Sequence, residues 1–191
     1  SPVLDYLRGG GSRDQAGRAV QQIVGRAFYP AYRATPDSYE AAEVVDSWPR
    51  QPWQAAKEPL THRLDEAKAT LARAAQSESA AIHGTAIAMH NIVRSLDRLR
   101  ARYERGQRTK LTDADLAAPA LIVRTALRRT TFPFLTRPVE AGTLFVFRLD
   151  QLHDDQRAPD FVFMEREWSQ CPAHRFVPNL LELAWSRALA N

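Results

Sequence analysis

The sequence predicts a mainly α-helical protein: a helical bundle built on a long central helix or helical hairpin, with one small antiparallel β-hairpin and a C-terminal helix. Three observations carry that expectation. Apolar residues recur at helical spacing over most of the chain. Between Ile82 and Tyr103 they step strictly by three and four, as in a heptad seam. Only GTLFVFRL at 142–149 and DFVFMER at 160–166 alternate in the manner of β-branched and aromatic strands.

The elements follow in order. Ser12 is a natural N-cap for RDQAGRAVQQIVGRAF, in which Ala16, Val20, Ile23, Val24 and Phe28 fall on one stripe until Pro30 stops the helix. Asp37 opens a second helix over 37–47, ended by WPRQPW at 48–53, an ordered loop whose two indoles are expected to pack on the body. Pro59 suits the first turn of the next helix, whose apolar positions run from Leu60 through Leu64, Ala67 and Leu71 toward the seam. QSES at 76–79 offers neither glycine nor proline, which favours one long helix over 60–105, kinked near Gly84, above two shorter ones. Its 82–103 seam would close either an intramolecular bundle or a homodimeric coiled coil.

Gly106 closes that helix. LTDADLAAPALIVRTALRR at 111–129 then reads as a helix capped at Thr112, with acids first and arginines last to suit the helix dipole. TFPFLTRP at 131–138 is extended, and the segments 142–149 and 160–166 pair as the hairpin. PNLLELAWSRAL from Pro178 makes the terminal helix, with Leu180, Leu181, Ala184, Trp185 and Ala188 inward.

The 191 residues fit a single helix-rich domain over 12–191, preceded by a short apolar peptide and Gly/Ser spacer over 1–11. No apolar run reaches membrane-spanning length; the longest, AAPALIV at 117–123, is interrupted by Pro119. The chain opens on Ser1 rather than Met, as a processed or trimmed chain would. A single cysteine, Cys171, excludes an internal disulfide framework and points to a reducing cytoplasm.

The net charge of +4 is unevenly spread. Residues 1–93 balance, 94–148 carry twelve basic against five acidic residues, and 149–191 carry four against seven. Within the basic block Arg94, Arg98, Arg102 and Arg105 form a stripe on the face opposite the seam, and Arg124, Arg128 and Arg129 continue it. Such a patch suits phosphates, an acidic protein partner, or ion pairs inside the same molecule.

Other chemistry is thin. His83 and His90 share a face with Asp97 and Glu104 at intervals of seven, too far apart for two imidazoles to ligate one metal. Cys171 and His174 supply half a metal site or a weak nucleophile–base pair. The acids Asp150, Asp154, Asp155, Asp160, Glu165 and Glu167 crowd the hairpin, but Glu165-Arg166-Glu167 lacks the lysine of a metal-dependent nuclease strand. There is no phosphate-binding Walker loop, nucleophile elbow or dinucleotide fingerprint, so no metal and no cofactor is expected.

Gly9, Gly10, Gly11 and Ser12 follow SPVLDYLR, which is too short to hold a helix alone and too apolar for water. They read as a tether for a docking peptide anchored by Leu4, Tyr6 and Leu7, or as a turn joining a short helix to the next; a phosphate cradle would want a preceding strand. The functional expectation is a non-enzymatic interaction or adaptor module that binds a short apolar peptide or partner helix. The alternatives are a nucleic-acid-binding or nucleoprotein-assembly domain using the arginine stripe, and an enzyme of unknown chemistry around Cys171, His174 and the hairpin acids.

Overall fold

A computed structural model describes residues 1–47, 62–117, 121–133, 135–148 and 173–190. Among them the protein is mostly helical. The order is α1 (Pro2–Leu7), α2 (Arg13–Phe28), α3 (Pro36–Ser47), α4 (Arg63–Ala74), α5 (Ser79–His83), a π-helical turn (Gly84–Ala88), α6 (Met89–Glu104), β1 (Leu121–Thr125), β2 (Leu144–Arg148) and α7 (Ala173–Leu189).

The seam becomes the centre of the core. Thr85, Met89, Ile92, Leu96 and Leu99 are buried, and α1, α2 and α7 of the same chain cover the helix that carries them. A homodimeric coiled coil over 82–103 is therefore set aside: its apolar face is consumed within one molecule. On α2 the predicted stripe resolves into buried Ala16, Val20 and Val24, while Ile23 and Phe28 remain partly exposed. On α7 Leu181, Ala184, Trp185 and Ala188 face inward as expected, and the helix begins at Ala173, ahead of Pro178.

The single long helix over 60–105 is corrected to two. Gln76 and Ser77 both sit in the left-handed region, at φ of 46° and 64°, which ends α4 outright. The turn is held by Ser77 N–H donating to the Ala72 carbonyl at 2.8 Å and by Ala75 and Ala81 packing with Tyr32. The irregularity expected near Gly84 is the π turn. Its widened register leaves the Thr85 carbonyl to accept from the buried Gln21 amide at 3.3 Å, and that amide also donates to Ser38 O at 2.9 Å.

The helix expected over 111–129 is also corrected. Thr112 and Asp115 do form a capping box, but only around a 3-10 turn at Asp113–Asp115, after which Leu116 is extended. Pro119 and the β-branched run that follows it favour a strand, and β1 pairs antiparallel with β2 in the register Leu121↔Arg148 to Thr125↔Leu144. So β2 lies where the first strand of the hairpin was expected, and among the described residues it pairs with β1. The expected partner at 160–166, like WPRQPW and Pro59, lies outside the described residues.

Two glycines of α2 are set by close packing. A Cβ on Gly17 would lie 2.4 Å from the Tyr39 hydroxyl, and one on Gly25 would lie 2.1 Å from the Tyr32 ring. Tyr32 is fully buried and has nowhere to move. Gly25→Ala should therefore destabilise the protein by roughly 2 kcal/mol, despite its better helix propensity, as read from urea denaturation.

Candidate functional site

The three expected anchors lie on α1, which packs against α2, α6 and α7. Leu7 is wholly buried, Tyr6 nearly so, and Leu4 half-buried. The Tyr6 hydroxyl donates to Asp97 Oδ1 at 2.6 Å, and Arg13 Nε and Nη2 donate to Asp97 Oδ2 at 3.2 Å each. Burial, then the Asp97 hydrogen bond, pushes the Tyr6 phenol up to about 12. Arg100 lies 4.7 Å over the same ring. Arg8 donates to the Arg187 and Ala188 carbonyls at 2.8 and 3.3 Å, at the last turn of α7 where cationic donors are favoured.

The glycines close a tight turn. Gly9 takes φ of +88°, and the amides of Gly10 and Gly11 both donate to the Asp5 carbonyl, at 2.9 and 3.0 Å. A Cβ on Gly11 would meet Tyr6 N at 2.6 Å. With these donors turned back onto α1, the segment is neither a slack spacer nor a phosphate cradle.

The arginine stripe turns inward to hold the connection after α6. Arg94 pairs with Asp46, and Arg102 with Asp115, whose carboxylate also accepts from Thr112 N–H at 2.8 Å. Arg98 donates to the Ala114 and Leu116 carbonyls, both at 2.8 Å, and Arg102 lies 5.2 Å over the Trp185 indole. Arg105 reaches Gln107 at 3.4 Å, while exposed Arg129 pairs with Glu140 at 3.1 Å. Arg128 is exposed, and Arg124 stands in β1. The seven arginines are thus not gathered into one free patch; those of α6 serve the fold.

Beside α1 lies an apolar groove of about 180 Å³, lined chiefly by Val3 and Leu4, Val20 and Ile23, Leu180 and Leu183, with Arg187 also in its lining. Ile23 and Leu183 are 40% and 49% exposed there, high values for branched apolar side chains on packed helices. The hydroxyl of Tyr39 and Nε2 of His90 are buried without a hydrogen-bond partner among the described residues. Each such atom costs about 1–3 kcal/mol. The contacts of Asp97 and His90 with other helices went unread in the sequence; their shared face at an interval of seven was the available signal.

Cys171 and the acids from Asp150 to Glu167 lie outside the described residues, as does the His174 side chain. Among the described residues no group of three metal-binding side chains occurs, and no helix is long and apolar enough to cross a membrane. No family model matches the chain, and neither a curated protein nor a solved structure matches it.

His90 gives a pH prediction. Burial, the dominant cause, lowers its imidazole from an ordinary 6.5 to about 4, against the smaller upward pull of Asp46. The unfolded chain therefore binds a proton that the folded one refuses between these values, and stability falls as pH drops from 6.5 to about 4. This should cost on the order of 3 kcal/mol by pH 4. His90→Phe should flatten that part of the profile in urea denaturations run across the range.

Proposed function

We propose that the protein is a non-enzymatic interaction module whose groove between α1, α2 and α7 receives the apolar side of an amphipathic helix from a protein partner. The carrying observation is the partial exposure of Ile23 and Leu183 on either side of a groove lined almost wholly by aliphatic side chains. At about 180 Å³ the groove is small for a cofactor-sized ligand and suits one or two protein side chains. Arg187 among the lining residues favours an acidic residue flanking the anchors. Leu4 is half of the reading, since it lines the groove; Tyr6 and Leu7 act behind it, fixing α1 as one wall.

A helical peptide library displayed on phage tests this. Enriched peptides should carry apolar residues at helical spacing with a neighbouring acid, and Leu183→Asp together with Ile23→Asp should weaken their binding by about a hundredfold or more. Enrichment without that spacing, or binding indifferent to the two substitutions, contradicts the reading.

A further inference from the structure

A second opening, independent of the apolar groove, lies where α2, α3, α4 and α6 meet. Its volume is about 370 Å³, and its walls carry the guanidinium groups of Arg13, Arg63 and Arg94 against the carboxylates of Glu40, Glu43 and Asp46. His90 completes the lining. We propose that this cleft binds a small zwitterion of the free α-amino-acid class, its ammonium directed to the His90 imidazole and its carboxylate to the arginines.

The charge balance selects the ligand class. With three cationic and three anionic side chains, the walls favour neither a simple anion nor a simple cation. A molecule carrying both signs at fixed separation pairs with both. The arginines present planar forks suited to a carboxylate. Arg94 and Asp46 already pair across the cleft, and Arg13 is held by Asp97, so these groups are fixed in place before a ligand arrives. Arg63 and Glu40 are exposed and free to adjust their conformation.

The interior supplies the second observation. His90 is only 4% exposed, and its Nε2 lacks a partner among the described residues. The ring of Tyr39 packs beside it, with the two ring centroids 6.1 Å apart. An unpaired nitrogen on a nearly wholly buried ring that lines a polar cleft is rare in packed proteins unless something is meant to satisfy it. An ammonium donates to a neutral imidazole nitrogen, which is the pairing this site lacks. The π turn at Gly84–Ala88 ends immediately before Met89 and His90, a placement recurrent at binding sites because it shifts the side-chain register of the helix.

Each common L-amino acid would be titrated at millimolar concentration into the full chain, with the His90 ring nitrogens followed by NMR and melting temperature recorded in parallel. At least one amino acid should move the Nε2 resonance and raise the melting temperature. Its N-acetyl derivative and its amide, each missing one of the two charges, should bind at least about tenfold more weakly. His90→Phe should remove binding; if that variant fails to fold, the exposed pair Glu40→Gln and Arg63→Gln should weaken it instead. The proposal is overturned if no amino acid moves the His90 resonance. It is equally overturned if acetate or phosphate binds as well as the zwitterion, or if binding is unchanged in the folded variants.

Discussion

One carboxylate organises this fold. Asp97, midway along α6, accepts the Tyr6 hydroxyl from α1 and the Arg13 guanidinium from α2. Hydrogen bonds to a charged acceptor are stronger than neutral ones, although solvent screens the Arg13 pair, whose side chains are 40% and 35% exposed. With Tyr6 fixed, Leu7 drops into the core and Arg8 reaches the carbonyls at the end of α7. Besides its apolar packing, α1 is thus tied to a side chain 91 residues away. Because α1 has only six residues, it covers part of the apolar face shared by α2 and α7 and leaves Ile23 and Leu183 open. The groove is the consequence of that short cover.

The arginines show a different use of charge. A block with twelve basic residues against five acidic ones suggests an external polyanion until the geometry is considered. Arg98 and Arg102 spend their donors on the carbonyls at 109–116, and Arg102 adds the carboxylate of Asp115 and the face of Trp185. A guanidinium with five donors in a planar fork is well suited to closing a loop that lacks regular backbone pairing. Arg108, stacked 3.6 Å over Tyr103, does the same at the loop's start. The stripe that periodicity places opposite the seam therefore faces another part of the same molecule, and it leaves less free charge for phosphates than the sequence promised.

How far the sequence could be read depended on the range of the deciding interaction. The helices α2, α3 and α7 were legible because caps and apolar spacing are local signals, and the seam was legible for the same reason. The break at Gln76 and Ser77 was not: both residues adopt the left-handed region without the glycine that usually announces it, and packing around Tyr32 rewards the turn. β1 was hidden behind a true capping signal, since Thr112 and Asp115 cap a turn that already ends at the extended Leu116. In the site, the apolarity of Leu4, Tyr6 and Leu7 is local and readable, and the structure buries Tyr6 and Leu7 and half-buries Leu4. The carboxylate that receives Tyr6, and the unsatisfied nitrogen of His90, depend on contacts between distant segments, and their shared helix face is the one local trace they leave.

If α1 is part of the core rather than a peptide resting on it, its backbone should open only when the whole protein opens. The Arg8 amide donates to Leu4 O at 3.1 Å and the Gly10 amide to Asp5 O at 2.9 Å, which makes them reporters of α1 alone. Residue-resolved native-state hydrogen exchange, followed at increasing denaturant, measures their opening free energy directly. The account predicts that both converge on the same global unfolding free energy as the amides of Leu96 and Leu99 in α6. Exchange of Arg8 and Gly10 through a local opening several kcal/mol easier, with α6 still protected, would contradict it.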